Sequence, residues 1–366
     1  MKRLLLCISL MMLILAQGCS EKPPVVADGN SKMIIRAFWN SSTDSNPNYI
    51  PMANAKVILS SEYGLMVKTT DINGVVELDG LPCTAYNVSV RMRNPIDASI
   101  VYAGTRLSIE TSTEKTEIDT IYAKPVVNSG IVINELYVGG PVNSDFYFYD
   151  QFIELYNSSD SVKYLDGMTI MRFTGNSISE GYKGPGADEG NDGDIDGATY
   201  VFKFPGKYGE KNYPMLPMSF LVLAQNAINH RKFYSSSVDL SNADWEFYNQ
   251  YSAKDLDNPN VPNLINMRPD KTADFIMSLT NDVIIVASGK DENWQDGIDI
   301  STILDGVEYN FSRRQMKTLD RRVENTFSLS PPAYQGHSMQ RREAGVDTDE
   351  GSLDWEIIPR PTPGYQ

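Results

Sequence analysis

In segment after segment of this chain, apolar and polar residues alternate with a period of two, and no feature restricts the fold more. Met33, Ile35, Ala37 and Trp39 alternate with more polar positions. Ala55, Val57 and Leu59 do the same, and Tyr86, Val88 and Val90 alternate against Asn87, Ser89 and Arg91. Successive side chains of an extended strand point to opposite faces, so this pattern predicts half-buried antiparallel strands. Asp71-Ile72-Asn73-Gly74 supplies a turn between two of them, because Asn and Gly tolerate positive φ. No long segment carries a helical period, so the expected class is all-β.

The N-terminus has a different character. Met1-Lys2-Arg3 precedes an apolar run from Leu4 to Ala16, followed by Gln17-Gly18-Cys19. Cations, a short apolar stretch and small residues in that order form a secretory signal. The run falls short of the ~20 apolar residues that span a bilayer. Leu15-Ala16-Gln17-Gly18-Cys19 resembles a bacterial lipobox. The resemblance implies cleavage before Cys19 and acylation of that cysteine, and several acyl chains give lasting membrane attachment. Ser20 rather than Asp after the cysteine implies outer-membrane sorting, by similarity to Gram-negative lipoproteins. A lone acid, Glu21, leaves both a surface-exposed and a periplasm-facing placement open.

Charge excludes one class of partner. The chain has 32 Lys and Arg against 47 Asp and Glu, net −15; removing residues 1–18 takes two cations with it and leaves −17. That balance repels nucleic-acid phosphates and anionic lipid headgroups. The pairs Arg313-Arg314, Arg321-Arg322 and Arg341-Arg342 are read as solvated strand faces. With Cys19 acylated, Cys83 has no partner in the mature chain, so stability rests on burial. His230 and His337 are the only two histidines, which argues against zinc hydrolases and His-based triads.

The expected organisation is a signal peptide (1–18), a lipidated tether (19–30) and two β-sandwich domains, 31–125 and 127–366. In the first, Ala55-Lys56-Val57, Thr70-Asp71-Ile72-Asn73-Gly74, Leu78-Asp79-Gly80-Leu81-Pro82 and Tyr86-Asn87-Val88 together resemble the prealbumin-like sandwich of carboxypeptidase regulatory-like and adhesin B-type repeats. The second opens with Ile131-Val132-Ile133-Asn134-Glu135-Leu136, then Gln151-Phe152-Ile153-Glu154-Leu155-Tyr156-Asn157 and Leu165-Asp166-Gly167-Met168-Thr169-Ile170. Phe220 to Ala224, Leu279 to Ile285 and Leu304 to Tyr309 follow, and the chain closes with Gly336 to Arg341, Asp347-Thr348-Asp349 and Pro361-Thr362-Pro363-Gly364. In this order the segments resemble the lamin tail domain, an immunoglobulin-like sandwich, expanded by long insertions at roughly 173–199 and 226–275. Anchor and both blocks together resemble uncharacterised Bacteroidota surface lipoproteins.

Several segments could carry chemistry. Asp192, Asp194, Asp196 and Gly197 match the first positions of a calcium loop, but Lys203 stands where the closing bidentate Glu belongs. Two readings stay open, a calcium site and an acidic Gly-rich surface loop. Trp245, Phe247, Tyr248 and Tyr251, set among acids and amides, could stack on sugars and bond their hydroxyls. Alternatively Trp245 and Tyr248 pack as one face of a short helix. Tyr147, Phe148 and Tyr149 pose the same choice. Glu135 and Glu154 could serve acid–base catalysis if close together, but in lamin-tail-like sandwiches they belong to the fold signature. Asp119-Thr120-Ile121 and Asp160-Ser161-Val162 resemble the Bacteroidota O-glycosylation sequon, which would place sugars on Thr120 and Ser161. No phosphate loop, Gly-x-Ser-x-Gly elbow or His-Glu-x-x-His helix occurs.

The leading expectation is a non-enzymatic, membrane-anchored lipoprotein that binds a ligand such as a glycan or an envelope partner. By analogy with similar lipoproteins, that partner is an outer-membrane TonB-dependent transporter. Two alternatives remain, an adhesin-like structural spacer and a carboxylate- or calcium-dependent hydrolase.

Overall fold

The computed structural model describes residues 29–41, 47–94, 100–125, 130–143, 145–174 and 183–366. Cys19, the signal and most of the tether lie outside them. The class is all-β, as expected. Among the described residues the helical elements are two single 3-10 turns and a one-turn helix, α1 (Gly351–Asp354).

The chain divides into two compact units. One runs to Val90 and includes Thr105–Tyr122; the other takes Arg91–Gly104 and Ala123–Gln366. The first block of strands is β1 (Ser31–Asn40), β2 (Tyr49–Pro51), β3 (Lys56–Ser61), β4 (Gly64–Thr69), β5 (Val75–Leu81), β6 (Ala85–Arg93), β7 (Val101–Glu110) and β8 (Thr116–Pro125). They form a sheet in the order β2-β1-β8-β7-β6-β3-β4, with β5 also pairing β1. Met33, Ile35, Ala37 and Trp39 are its buried alternates on β1. The Asp71 turn forms as its residues dictate. Asp71 Oδ1 accepts from the backbone N–H of Asn73 (2.9 Å) and Val75 (2.8 Å). Gly74 has φ +73° and would place a Cβ 2.5 Å from Ala37 O, so only glycine fits there.

The remaining strands are β9 (Ile131–Tyr137), β10 (Phe152–Asn157), β11 (Lys163–Tyr164), β12 (Thr169–Phe173), β13 (Asp194–Ile195), β14 (Tyr200–Lys203), β15 (Pro214–Met215), β16 (Phe220–Ala224), β17 (Trp245–Glu246), β18 (Ile265–Asn266), β19 (Asp282–Ala287), β20 (Ile298–Asp299), β21 (Ile303–Asn310), β22 (Ser328–Leu329), β23 (Ser338–Arg341) and β24 (Trp355–Ile358). Two six-stranded sheets, β17-β16-β10-β9-β23-β24 and β18-β14-β12-β19-β21-β22, share one core. Ile133, Ile153, Leu155, Leu223 and Met339 of the first sheet meet Ile170, Phe202, Ile284, Val286 and Val307 of the second. This is a β-sandwich.

Its central strands do not alternate in burial. Every residue of β9, β10 and β19 is buried, because the outer faces are covered too, and strands buried on both faces read as continuous apolar runs. On the first sheet, Tyr137, Phe152, Val222 and Ala224 pack under Val238, Leu240 and Val261 from the second insertion. On the second, Met171, Phe173, Val201, Val283 and Ile285 pack under Ile195, Ile298, Leu319 and Val323. The second insertion is therefore an outer layer over the first sheet, and the segments holding Ile195, Ile298, Leu319 and Val323 cover the second.

Two expectations are corrected. Arg341 is fully buried rather than solvated. Its guanidinium donates to Asp305 (2.8 Å), Asp347 (3.1 Å), Asp354 (3.3 Å) and Ile133 O (2.8 Å), so it is the cation that lets a group of acids be buried. The segment from Trp245 is not a short helix: Trp245–Glu246 is a strand paired parallel to β16. Sheet pairing and burial of Trp245 outweigh the i, i+3 spacing.

Candidate functional site

The register of β10 and β16 builds a cleft. Phe152 pairs with Ala224, and Gln225 N donates to Gln151 O at 2.9 Å. The loop before β10 and the segment after β16 therefore emerge side by side at one end of the sheet. A side-chain hydrogen bond donated by Ser252 Oγ to Asp274 Oδ1 (2.6 Å) ties the two more distant parts of the insertion together. Between these walls lies a cleft of about 570 Å³, lined among others by Tyr147, Tyr149, Asn226, Phe233, Lys254 and Asp274. That size falls within the ~300–1,000 Å³ of small-molecule sites.

A buried histidine joins the two nearer walls. His230 is fully buried; its Nε2 lies 2.9 Å from Asn226 O and its Nδ1 2.5 Å from the Tyr147 hydroxyl. A carbonyl can only accept, so Nε2 carries the proton and Nδ1 accepts from Tyr147. Burial lowers the pKa of His230 and keeps it neutral. The Tyr147 ring packs against Tyr149 (5.7 Å), Tyr234 (4.9 Å) and Phe233 (6.2 Å between centroids). Yet Phe233 remains 62% exposed and Tyr149 37%, so the cleft keeps open ring surface. At the base of the same loop Asp150 is buried, accepts from Tyr137 Oη (3.2 Å) and from Ser237, and burial pushes its carboxyl up to about 6. Beside the cleft, Asn226 in its satisfied orientation donates to Asp255 Oδ1 (2.9 Å) and Gln225 O (3.1 Å). Burial raises Asp255 to about 7.

Of the aromatic residues singled out in the sequence, Trp245 and Phe247 belong to the sandwich core, where a ring has no free face for a sugar. Tyr248 is half-buried and Tyr251 exposed, and neither lines the cleft. The Tyr147–Tyr149 loop does. Asn226, Phe233 and Asp274 carried no sequence signal as site residues, because only the β10–β16 register brings them to that loop.

The acidic loop splits into two groups. Carboxylate oxygens of Asp188, Asp192 and Asp196 lie within 4.8 Å of one another, a donor set suited to a hard cation. Asp188, missed in the sequence, is the buried member. It accepts from Gly193 N (3.0 Å) and Asp192 N (3.1 Å), and from Arg322 (2.6 Å), which is the main cause of its lowered pKa. Asp194 points elsewhere, to a surface hollow it lines with Asp291, Asp296 and Asp299. Partial desolvation and the fields of Asp192, Asp291, Asp299 and Asp296 raise its pKa. Lys203, at the position of the missing ligand, pairs with Glu292 at 3.2 Å.

Glu135 and Glu154 do come together, as opposed residues of β9 and β10. Their oxygens are occupied by the C-terminal segment: Thr362 N donates to Glu135 (3.0 Å) and Gly364 N to Glu154 (2.6 Å). Their place is structural. Ser161 sits in an exposed turn, Thr120 is half-buried on β8, and Cys83 is an exposed free thiol.

Residues 217–300 match a family described as protein of unknown function (DUF4876). That stretch contains β16 and the insertion that walls the cleft. The fold is similar to that of a DUF4876 family protein from Bacteroides thetaiotaomicron, at 19% identity and TM-score 0.53, over 89% of this chain and 94% of that one. A DUF3823 family protein from Parabacteroides merdae aligns at 10% identity and TM-score 0.17, over 53% of this chain and 81% of that one. No curated protein matches.

Proposed function

We propose that this chain is a lipid-anchored, non-enzymatic binding module whose ligand sits in the cleft between the 145–151 loop and the 226–276 segment. The observation that carries the reading is the cleft itself, which sets open aromatic surface beside amide, hydroxyl and charged groups. Binding sites combine apolar walls with a few placed polar groups in this way. The neighbouring histidine has both ring nitrogens engaged within the fold, so it serves as a strut between walls and not as a base. Attachment through Cys19 in the outer membrane, and partnership with a transporter there, belong to the same reading. A Cys19→Ala chain would then leave the membrane fraction.

Ligand-observed NMR with a library of small polar and aromatic compounds tests the site. The expected hits disappear in Ala253→Trp, which fills the cleft from an exposed lining position. Hits that persist in that variant, or no hits at millimolar compound, overturn the reading.

A further inference from the structure

Resting on that reading, we infer that the cleft takes an uncharged saccharide, one pyranose face stacked on Phe233 or Tyr149 and its hydroxyls bonded by Asn226, Ser252, Lys254 and Asp274. Three properties of the cleft lead there.

The first is charge balance. Its lining holds one cation, Lys254, and one anion, Asp274. A cationic ligand would meet Lys254, and an anionic ligand would meet Asp274. Each would also meet one opposite charge, so the lining favours neither sign, and the like charge it meets costs energy. A neutral ligand meets no such penalty.

The second is the mixture of surfaces. Phe233 and Tyr149 offer ring area to the opening, and Leu256, 53% exposed, extends it. An alkyl chain could cover that area. It would also strip water from Ser252, Lys254 and Asp274 without replacing the hydrogen bonds, and unpaired buried polar groups cost more than made ones gain. A sugar ring has both parts, a C–H face for the aromatic rings and hydroxyls that each donate and accept.

The third is rigidity. Tyr147 is held by His230, and Asp274 by Ser252. Asn226 is held by Asp255. Donors and acceptors fixed before binding suit a ligand recognised by the positions of its hydroxyls, since little side-chain ordering remains to oppose association.

Isothermal titration with maltose, cellobiose, lactose and N-acetylglucosamine, alongside choline, benzoate and hexanol, tests the class. The expected result is binding of at least one of the sugars, weakened roughly tenfold or more in Phe233→Ala and in Asp274→Asn, with no heat from choline, benzoate or hexanol. Phe233 is mostly exposed, so its variant keeps the fold, and circular dichroism checks both. Binding of choline, benzoate or hexanol that Ala253→Trp abolishes, with all sugars silent, overturns the saccharide assignment and leaves the cleft as a binding site. Sugar binding untouched by Phe233→Ala, Asp274→Asn and Ala253→Trp overturns the assignment of sugar to this cleft. Silence of every probe in the wild-type chain, here and in the library screen, removes the binding reading itself.

Discussion

Glu135 and Glu154 stand directly opposite each other on β9 and β10, Cα partner to Cα partner, with neither side chain exposed. Two carboxylates so placed repel, and burial deprives both of water. Burial, with the field of Glu135 second, pushes Glu154 up to about 8; burial likewise raises Glu135. Near neutral pH the pair therefore keeps a proton. A bulge beside the pair at Asn134 puts Ile133 and Leu136 on the core side, while both glutamates face the outer side of the sheet. There the C-terminal segment roofs them.

This pair sets the sign of the pH dependence. Glu154 (about 8), Asp255 (about 7), Glu350 (about 7), Asp150 (about 6) and Asp282 (about 6) all have raised pKa values, burial being the first cause of each. Between their unfolded values near 4 and these folded values, the native state binds more protons than the unfolded chain, so stability falls as pH rises. Acids held low, such as Asp270 (about 2) and Asp188, withdraw stability only below about pH 4. Urea unfolding from pH 4 to 9 should show greatest stability at the acid end of that range, near pH 4, and a decline toward pH 8. Glu154→Gln should flatten the upper part of that decline; an unchanged slope would place the proton elsewhere.

The C-terminal clasp should be worth more than its exposure suggests. Thr362 donates to Glu135 through its backbone N–H and its hydroxyl (2.7 Å) and accepts from Gln340 (2.6 Å). Thr362→Val keeps the shape and removes the hydroxyl, so about 1–3 kcal/mol should be lost. Removing residues 361–366 should cost more than Thr362→Val, because Glu154 and Asn134 lose Gly364 and Gln366 as well. Denaturant midpoints of the two variants test the order.

Arg341→Met should be the most damaging of these changes. It leaves Asp305 and Asp347 without their cation and Asp354 with Arg91 alone, at a site where Asp305 and Asp354 are buried and Asp347 is 17% exposed, and breaking a buried pair from one side costs about 3–5 kcal/mol. The Met would still cover the Trp355 ring that the guanidinium now overlies at 5.2 Å. A loss within about 1 kcal/mol would mean that the acids take up protons instead.

Asp194 predicts the opposite sign. It faces Asp192, Asp291, Asp296 and Asp299, so Asp194→Asn should raise the melting temperature at low ionic strength. The gain should shrink as salt screens the cluster. A fall in melting temperature would show that the carboxylate makes a bond worth more than the repulsion it suffers.

Much of this protein was legible in its sequence. Alternation in β1 sets a half-buried strand, because a pleated strand can sort its residues only two ways, whereas β3 and β6 form where alternation places strands but are buried on both faces along their middles. Ile131–Leu136, Gln151–Asn157 and Leu304–Tyr309 were recognisable as strands, since short runs rich in β-branched and aromatic residues between turns favour an extended backbone. Burial of the acids and of Arg341 was not legible. A charge tolerates the interior only when its counter-charges arrive from distant segments, here Asp305 and Asp354, and spacing along the chain carries no trace of that meeting. Between the two readings of Trp245 and Phe247, sugar stacking and packing, the sequence could not choose for the same reason, and their burial in the core favours packing. An aromatic side chain looks alike in a core and in a cleft until its neighbours are in place. Alternation and turn chemistry are local, so the chain alone determines its strands. The cleft depends on Phe152 pairing with Ala224 and not one residue away, and only the packed sandwich decides that register.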